Sequence, residues 1–247
     1  SDLIISHASL NSIESSPLIL WIKAGSDKER QGGDPLSHSL FIILLSTRDT
    51  LNVPFEVRTV SDARIPSQLR QSGIRRVPAV STECDSYDLE EDIVSIILRE
   101  DDIYVDEDFI DIASDLMRHF SAVARGIARG RSLLHSCLSQ LNSLLSSLST
   151  SFIDGDSIGY VDALILSRIH SIQIASKALF DMNPLQGLNC VRSYLERGYG
   201  RQEFIESCPS DQEIILYWAE KNIDCKYSII EKIRLSRDKQ TRTLTIK

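Results

Sequence analysis

The chain has 247 residues, of which 42% are hydrophobic and 25% are charged, enough apolar material for one large or two small domains. This composition excludes collagen, low-complexity polymers and a wholly disordered chain. The formal net charge is −8. Since nucleic-acid binding and bulk adsorption to anionic lipid both need a basic surface, we expect no nucleic-acid partner.

The sequence predicts neither export nor a membrane span. The apolar runs at residues 40–45 and 93–98 fall far short of the roughly 20 residues that a spanning helix needs. Residues 1–16 are Ser-rich and polar, unlike a secretion signal, and predict a flexible N-terminus. The cysteines are widely spaced without a CxxC pair, which favours reduced thiols in a cytoplasmic protein: Cys84, Cys137, Cys190, Cys208 and Cys225.

Alternating strand and helix signals predict an α/β domain with a mixed sheet over residues 17–99. Asp34 is a favourable helix N-cap and Pro35 suits the first helical position. Pro78 belongs at a strand start and is compatible with a cis bond. The predicted elements are a strand at 18–23, a helix from Pro35, a strand at 55–60, a short helix at 65–72, a strand beginning with Val77-Pro78 and a helix at 89–98.

The second half of the chain predicts an all-helical domain. Residues 100–108 are strongly acidic and aperiodic, which indicates a linker, and helical periodicity fills 109–227. A leucine stripe at 133–148 lacks the basic residues of a membrane-surface helix, so we expect it to face the core. Residues 228–247 are predicted as a basic tail, which is either free and solvated, bound to an anionic partner, or lying on the acidic linker.

Several ordered motifs resemble the chloride intracellular channel proteins. Residues 23–27 read KAGSD and are followed by Pro35 in a turn similar to the opening of that family. Residues 152–155, 166–173 and 204–214 are similar to its C-terminal domain, the last segment especially to invertebrate members. The resemblance implies a thioredoxin-like N-terminal domain followed by an all-helical domain of the glutathione transferase type.

The chemistry of this family, by the same resemblance, depends on a cysteine at the N-terminus of the first helix. There the helix dipole favours the thiolate that exchanges with glutathione. The matching position here is Asp34, whose carboxylate caps a helix but cannot form a mixed disulfide. We therefore predict no catalytic residue and no glutaredoxin-like activity.

The resemblance also implies the remains of a glutathione site. Val77-Pro78 would meet the cysteinyl part of glutathione through its backbone, although the fold itself needs this proline. Asp88 lies one residue before Leu89, the slot where the family places an acid for the glutamyl amine. We predict no bound cofactor and no metal, and a degenerate site made of Asp34, Pro35, Val77, Pro78 and Asp88.

Two other arrangements would make the protein an enzyme. His38 has triad residue types beside it in Asp34 and Ser37, but neighbouring positions on one helix do not converge as a triad requires. A hydroxyl, Ser26 or Ser37, could instead activate bound glutathione, as in a transferase. That enzyme and a cytosolic scaffold using the basic tail are the alternatives to a channel-like protein.

Interaction rather than catalysis is the function that the resemblance implies. Family members are reported to pass from a soluble to a membrane-associated, anion-conducting form, with the segment equivalent to 22–45 proposed to insert. In this chain the segment carries six ionised groups, each costing about 2.5 kcal/mol or more at the bilayer centre. Expected partners are membrane lipid and cytoskeletal or signalling proteins, with oligomers in the membrane form.

Overall fold

Four strands form one mixed sheet in the computed structural model, which describes residues 16–49, 51, 54–98, 106–222 and 227–246. The strands are β1 (Leu18–Lys23), β2 (Phe55–Val60), β3 (Ala79–Ser81) and β4 (Ser86–Tyr87). The helices are α1 (Pro35–Ser46), α2 (Ser67–Gln71), α3 (Glu90–Ile97), α4 (Glu107–Ala124), α5 (Gly130–Ser146), α6 (Tyr160–Phe180), α7 (Asn189–Tyr199), α8 (Gln202–Ser207), α9 (Asp211–Lys221) and α10 (Ile229–Arg237), besides a short 3-10 turn at Asp62–Arg64.

The sheet has the order β2-β1-β3-β4, with β1 parallel to β2 and antiparallel to β3. The predicted mixed sheet is thus confirmed. β4 pairs antiparallel with β3 and was not predicted, because a two-residue strand is too short to show alternation. The Val77-Pro78 peptide is cis and immediately precedes β3, as the sequence allowed.

The helical domain is built around α6, which packs on α4, α7 and α9. The leucine stripe of α5 faces the core as predicted, since Leu134, Leu138, Leu141 and Leu145 are buried. α4 begins at Glu107 with Asp106 as its N-cap, so the helical domain starts two residues before the predicted boundary. Most of the predicted linker and the predicted flexible N-terminus lie outside the described residues.

The two domains share one apolar core. α1 of the first domain packs against α6 and α8 of the second, and its segment from Leu40 to Leu45 is fully buried. Within the described residues, no helix combines the length and the apolar content that crossing a membrane requires. α1 is buried by its contact with the helical domain.

The basic tail differs from a free, solvated segment. After α10 the chain returns to the start of α9, where the Asp211 amide donates to the Thr241 carbonyl over 2.8 Å. The Thr241 amide donates to the Gln212 side chain over 2.9 Å, and Leu244 packs partly buried against the core. Charge counting could not show this, because polar groups on α9 hold the returning backbone.

Candidate functional site

Asp34 caps α1 and is buried, with 7% of its surface exposed. Its Oδ2 atom accepts hydrogen bonds from the Ser37 amide over 2.9 Å and from the Ser37 hydroxyl over 2.8 Å. A negative charge at this position also interacts favourably with the helix dipole. The predicted capping role of Asp34 is confirmed, together with Pro35 at the first helical position.

Side chains of α9 cover Asp34 from the helical domain. The Tyr217 hydroxyl lies beside the Asp34 carboxylate, and burial together with that carboxylate raises the pKa of Tyr217. The ammonium of Lys221 donates to the Tyr217 oxygen and lies 3.8 Å from the centre of its ring. Arg168 on α6 lies within electrostatic reach of Asp34. The carboxylate therefore joins two domains in a network with cations nearby.

The loop at residues 24–33 holds the first turn of α9 in front of α1. The Ser26 amide and hydroxyl both donate to the Glu213 carboxylate, over 2.9 and 2.6 Å. A Cβ added at Gly33 would clash with the Glu213 carbonyl and lie 2.5 Å from the Ile214 Cα. Only glycine permits this approach, so α9 is seated against the loop by backbone contact.

The other residues of the predicted glutathione site serve the first domain. Val77 is buried in a small cluster with Trp21 and Leu69 on one face of the sheet. Asp88 accepts from the Arg75 amide over 3.4 Å and lies 3.9 Å from the Arg76 guanidinium. Four cavities of about 430 to 730 Å³ lie elsewhere and are lined by other residues.

Sequence reasoning missed Glu90, the acid at the start of α3 that faces the helical domain. Its carboxylate accepts from the Tyr160 hydroxyl over 3.1 Å and lies within electrostatic reach of Arg168. Leu89, the slot chosen from the resemblance, is half exposed. Placing the family's acidic position one residue later in the sequence would have identified Glu90. Its partners on α6 are shown only by the structure.

His38 enters a buried aromatic cluster between the domains. Its ring lies 5.0 Å from the Phe204 ring and 6.1 Å from the His170 ring, measured between centroids. His170 contacts the Tyr199 hydroxyl at 3.0 Å and the Cys208 sulfur at 3.3 Å. Burial lowers the pKa of both histidines, that of His170 to about 3. His38 is thus a neutral core residue.

Both hydroxyls that could activate bound glutathione are already hydrogen-bonded. The buried Ser37 hydroxyl donates to Asp34 and accepts from the Lys23 amide over 3.2 Å. The exposed Ser26 hydroxyl donates to Glu213. In the described part of the chain, no group of three or more His, Cys, Asp or Glu side chains is placed to hold a metal ion. These contacts stabilise the loop and the helix start.

No family model matches the chain. It is 30% identical over 225 residues to the chloride intracellular channel exl-1 of Caenorhabditis elegans, covering 89% of this chain and 94% of that protein. It superposes on the crystal structure of EXC-4, a chloride intracellular channel homologue of the same nematode, with a TM-score of 0.81, 22% identity and 95% of each chain covered.

More distant structures share the fold. A dehydroascorbate reductase from Chlamydomonas reinhardtii gives a TM-score of 0.72 at 14% identity, covering 84% of this chain and 100% of that one. The expected architecture, a thioredoxin-like domain followed by a helical domain of the glutathione transferase type, is therefore confirmed. The expected similarity to invertebrate members is confirmed by the two nematode proteins.

Proposed function

The chain belongs to the chloride intracellular channel family, and we propose that it is a member that works without glutathione-dependent thiol chemistry. Asp34 carries this proposal, because it occupies the N-terminus of α1 where the family resemblance implies a nucleophilic cysteine. A carboxylate cannot form or release a mixed disulfide with glutathione. The protein then acts through binding, and is not an enzyme.

The described cysteines do not supply a substitute nucleophile at this place. Burial raises the pKa of Cys137 to about 11 and that of Cys208 to about 12, so both are thiols at neutral pH. Cys84 is exposed and follows β3, and the half-buried Cys190 lies on α7, so both are far from the start of α1 in the sequence. These environments support the loss of oxidoreductase activity.

A glutathione-dependent reductase assay tests this function. We expect no turnover by the natural protein and measurable turnover by Asp34→Cys combined with Tyr217→Ala, which restores the nucleophile and removes its cover. Asp34→Ser with Tyr217→Ala is the matched control, since serine also caps a helix but forms no disulfide. Robust turnover by the natural protein, abolished by blocking its thiols, would overturn the proposal.

A transferase that activates glutathione through Ser26 or Ser37 is the second candidate. The hydrogen bonds of both hydroxyls to carboxylates argue against it, because each would have to break before glutathione could be activated. Titration calorimetry with glutathione distinguishes the two functions. We expect no binding heat, whereas saturable binding lost in Ser37→Ala would favour the transferase.

We further propose that the protein resides in the cytoplasm and reaches membranes in a second, associated form. The buried apolar stretch of α1 supports this, because opening the contact with α6 and α8 would expose it. Twelve helical residues rise only about 18 Å, so this helix alone would not span a bilayer. Ion conduction would require the protein to refold and form oligomers. For the soluble form we propose cytoskeletal or signalling proteins as partners.

Vesicle flotation from pH 7 to pH 5 tests the membrane-associated form. We expect binding to acidic vesicles to rise severalfold as the pH falls. Burial lowers the pKa of His38 and His170 in the closed contact, so acidification favours an open form in which both histidines can be protonated. Uncharged phosphatidylcholine vesicles are the control for lipid charge. A flat profile would favour the cytosolic scaffold instead.

A further inference from the structure

A cavity of about 730 Å³ opens where the returning tail meets the two domains. Arg30 belongs to the loop after β1, and Glu206 lies on α8. The remaining charged lining comes from the end of α10 and the segment after it. The charged side chains around the cavity are Arg30, Glu206, Arg237, Asp238, Lys239 and Arg242.

Most of the positive charge in this cavity is not neutralised by the protein. Glu206 is already bonded to Arg48, which lowers its pKa, and Arg30 lies 3.3 Å from Asp27. Within the described residues, Arg237, Lys239 and Arg242 form no ion pair. Three unpaired cations and the Asp238 carboxylate therefore share one concave surface, which leaves a local surplus of positive charge on a protein whose formal net charge is −8.

The backbone that carries these cations is fixed before any ligand arrives. The Ser210 hydroxyl donates to the Gln240 side chain, and Gln212 donates to the Lys239 carbonyl over 3.1 Å. The Thr241 amide completes the attachment by donating to Gln212. A site fixed in this way loses less conformational entropy on binding than a disordered basic tail.

The lining selects among anions. Among the described residues that line it, none is an aromatic side chain on which a nucleobase could stack. Arginine binds phosphate through two parallel N–H donors, and the cavity is large enough for several phosphate groups. We propose that this cavity binds a compact polyphosphorylated group, either as a free inositol polyphosphate or as the headgroup of a phosphoinositide.

A bound polyphosphate would connect the two domains. Arg30 belongs to the first domain, whereas Arg237, Lys239 and Arg242 follow the helical domain. Ligand binding should therefore raise the thermal unfolding temperature as well as produce binding heat.

Titration calorimetry of the full chain with inositol hexakisphosphate tests the free ligand. Arg242→Gln and Lys239→Gln should each weaken binding about tenfold, the loss expected for one charge-assisted contact, and their combination with Arg237→Gln should abolish it. Lys232→Gln with Arg234→Gln is the matched control, because these residues of α10 do not line the cavity. Equal losses in the control, or no binding by the natural chain to either this probe or phosphoinositide vesicles, would overturn the proposal.

Vesicles distinguish the two sources of the group. Natural protein is floated with vesicles containing phosphatidylinositol bisphosphate or phosphatidylserine at matched charge. Preference for the phosphoinositide, lost in the triple variant, would support the lipid headgroup, and binding of the soluble polyphosphate alone would support a free ligand. If both lipids bind equally, the triple variant is unaffected and calorimetry gives no heat, the cavity is not the site.

Discussion

The start of α1 and the tail cavity are both polar sites at the domain contact. The charged group at the first site has partners within the protein, whereas the cations at the second have none among the described residues. The Asp34 carboxylate accepts two hydrogen bonds from Ser37, and the Tyr217 hydroxyl lies beside it. In the cavity, Arg237, Lys239 and Arg242 have no ionic partner among the described residues.

This difference decides what each region can do. A satisfied, buried charge stabilises the arrangement around it and resists a ligand, because binding would have to replace existing hydrogen bonds. Exposed unpaired cations add little to folding but attract an anion that brings the missing charge. Side chains of α9 thus cover the start of α1, where the family resemblance implies a glutathione site. The basic tail, in contrast, lines an open cavity.

Acidification should give the largest effect, a loss in the free energy of unfolding that comes from the buried histidines between the domains. The folded protein keeps His38 and His170 neutral, with the pKa of His170 lowered to about 3, whereas the unfolded chain takes up protons near pH 6.5. Their contribution to stability is complete above pH 6.5 and is lost as the pH falls. Each histidine should remove up to about 1.4 kcal/mol per pH unit, measured by urea unfolding at several pH values.

His170→Gln should reduce the pH dependence of the free energy of unfolding by the contribution of one histidine, whatever the substitution does to stability at neutral pH. His135→Gln, on an exposed position of α5, is the matched control. Glu213 acts in the opposite direction, because burial raises its pKa and the folded state gains stability on protonation. An unchanged slope in His170→Gln would mean that the buried cluster does not control acid stability.

Gly33→Ala should give the next largest effect by separating the loop from α9. The new Cβ would meet the backbone of Glu213 and Ile214, which cannot move like a side chain. We expect a loss of about 1 to 3 kcal/mol in the free energy of unfolding. Gly200→Ala places its Cβ 3.3 Å from the Arg197 carbonyl and is the control, with a loss well below that of Gly33→Ala.

Asp34→Ala should cost about 1 to 2 kcal/mol, because it removes an N-cap and the carboxylate that interacts with the Tyr217 hydroxyl. A double-mutant cycle with Tyr217→Phe should show a coupling above about 0.5 kcal/mol, since the residues are in contact. Asp106→Ala removes the N-cap of α4 and serves as the control for capping alone. Additive losses would mean that Asp34 acts only within its own helix.

Local patterns in the sequence predicted much of the first domain. The Asp34-Pro35 start of α1 and the two long strands carry strong local signals, and both were placed correctly. The strand after Pro78 was also found, since proline limits where a strand can begin. These features depend on neighbouring residues, so one chain segment suffices to identify them.

The contacts between distant segments could not be predicted in this way. Ser26 meets Glu213 across 187 positions of sequence, and Tyr217 reaches Asp34 from the opposite half of the chain. The tail was described by its charge alone, although Gln212 and Thr241 determine its path. Such contacts depend on how complete elements pack, and periodicity contains no record of that packing.

The smallest expected effect separates the two regions most clearly. The triple substitution of Arg237, Lys239 and Arg242 to glutamine should change the unfolding free energy by less than about 0.5 kcal/mol without ligand, because these side chains are exposed and form no ion pair with a described residue. With saturating inositol hexakisphosphate, only the natural chain should gain thermal stability. A large loss of stability without ligand would show that these cations, like Asp34, hold the fold together.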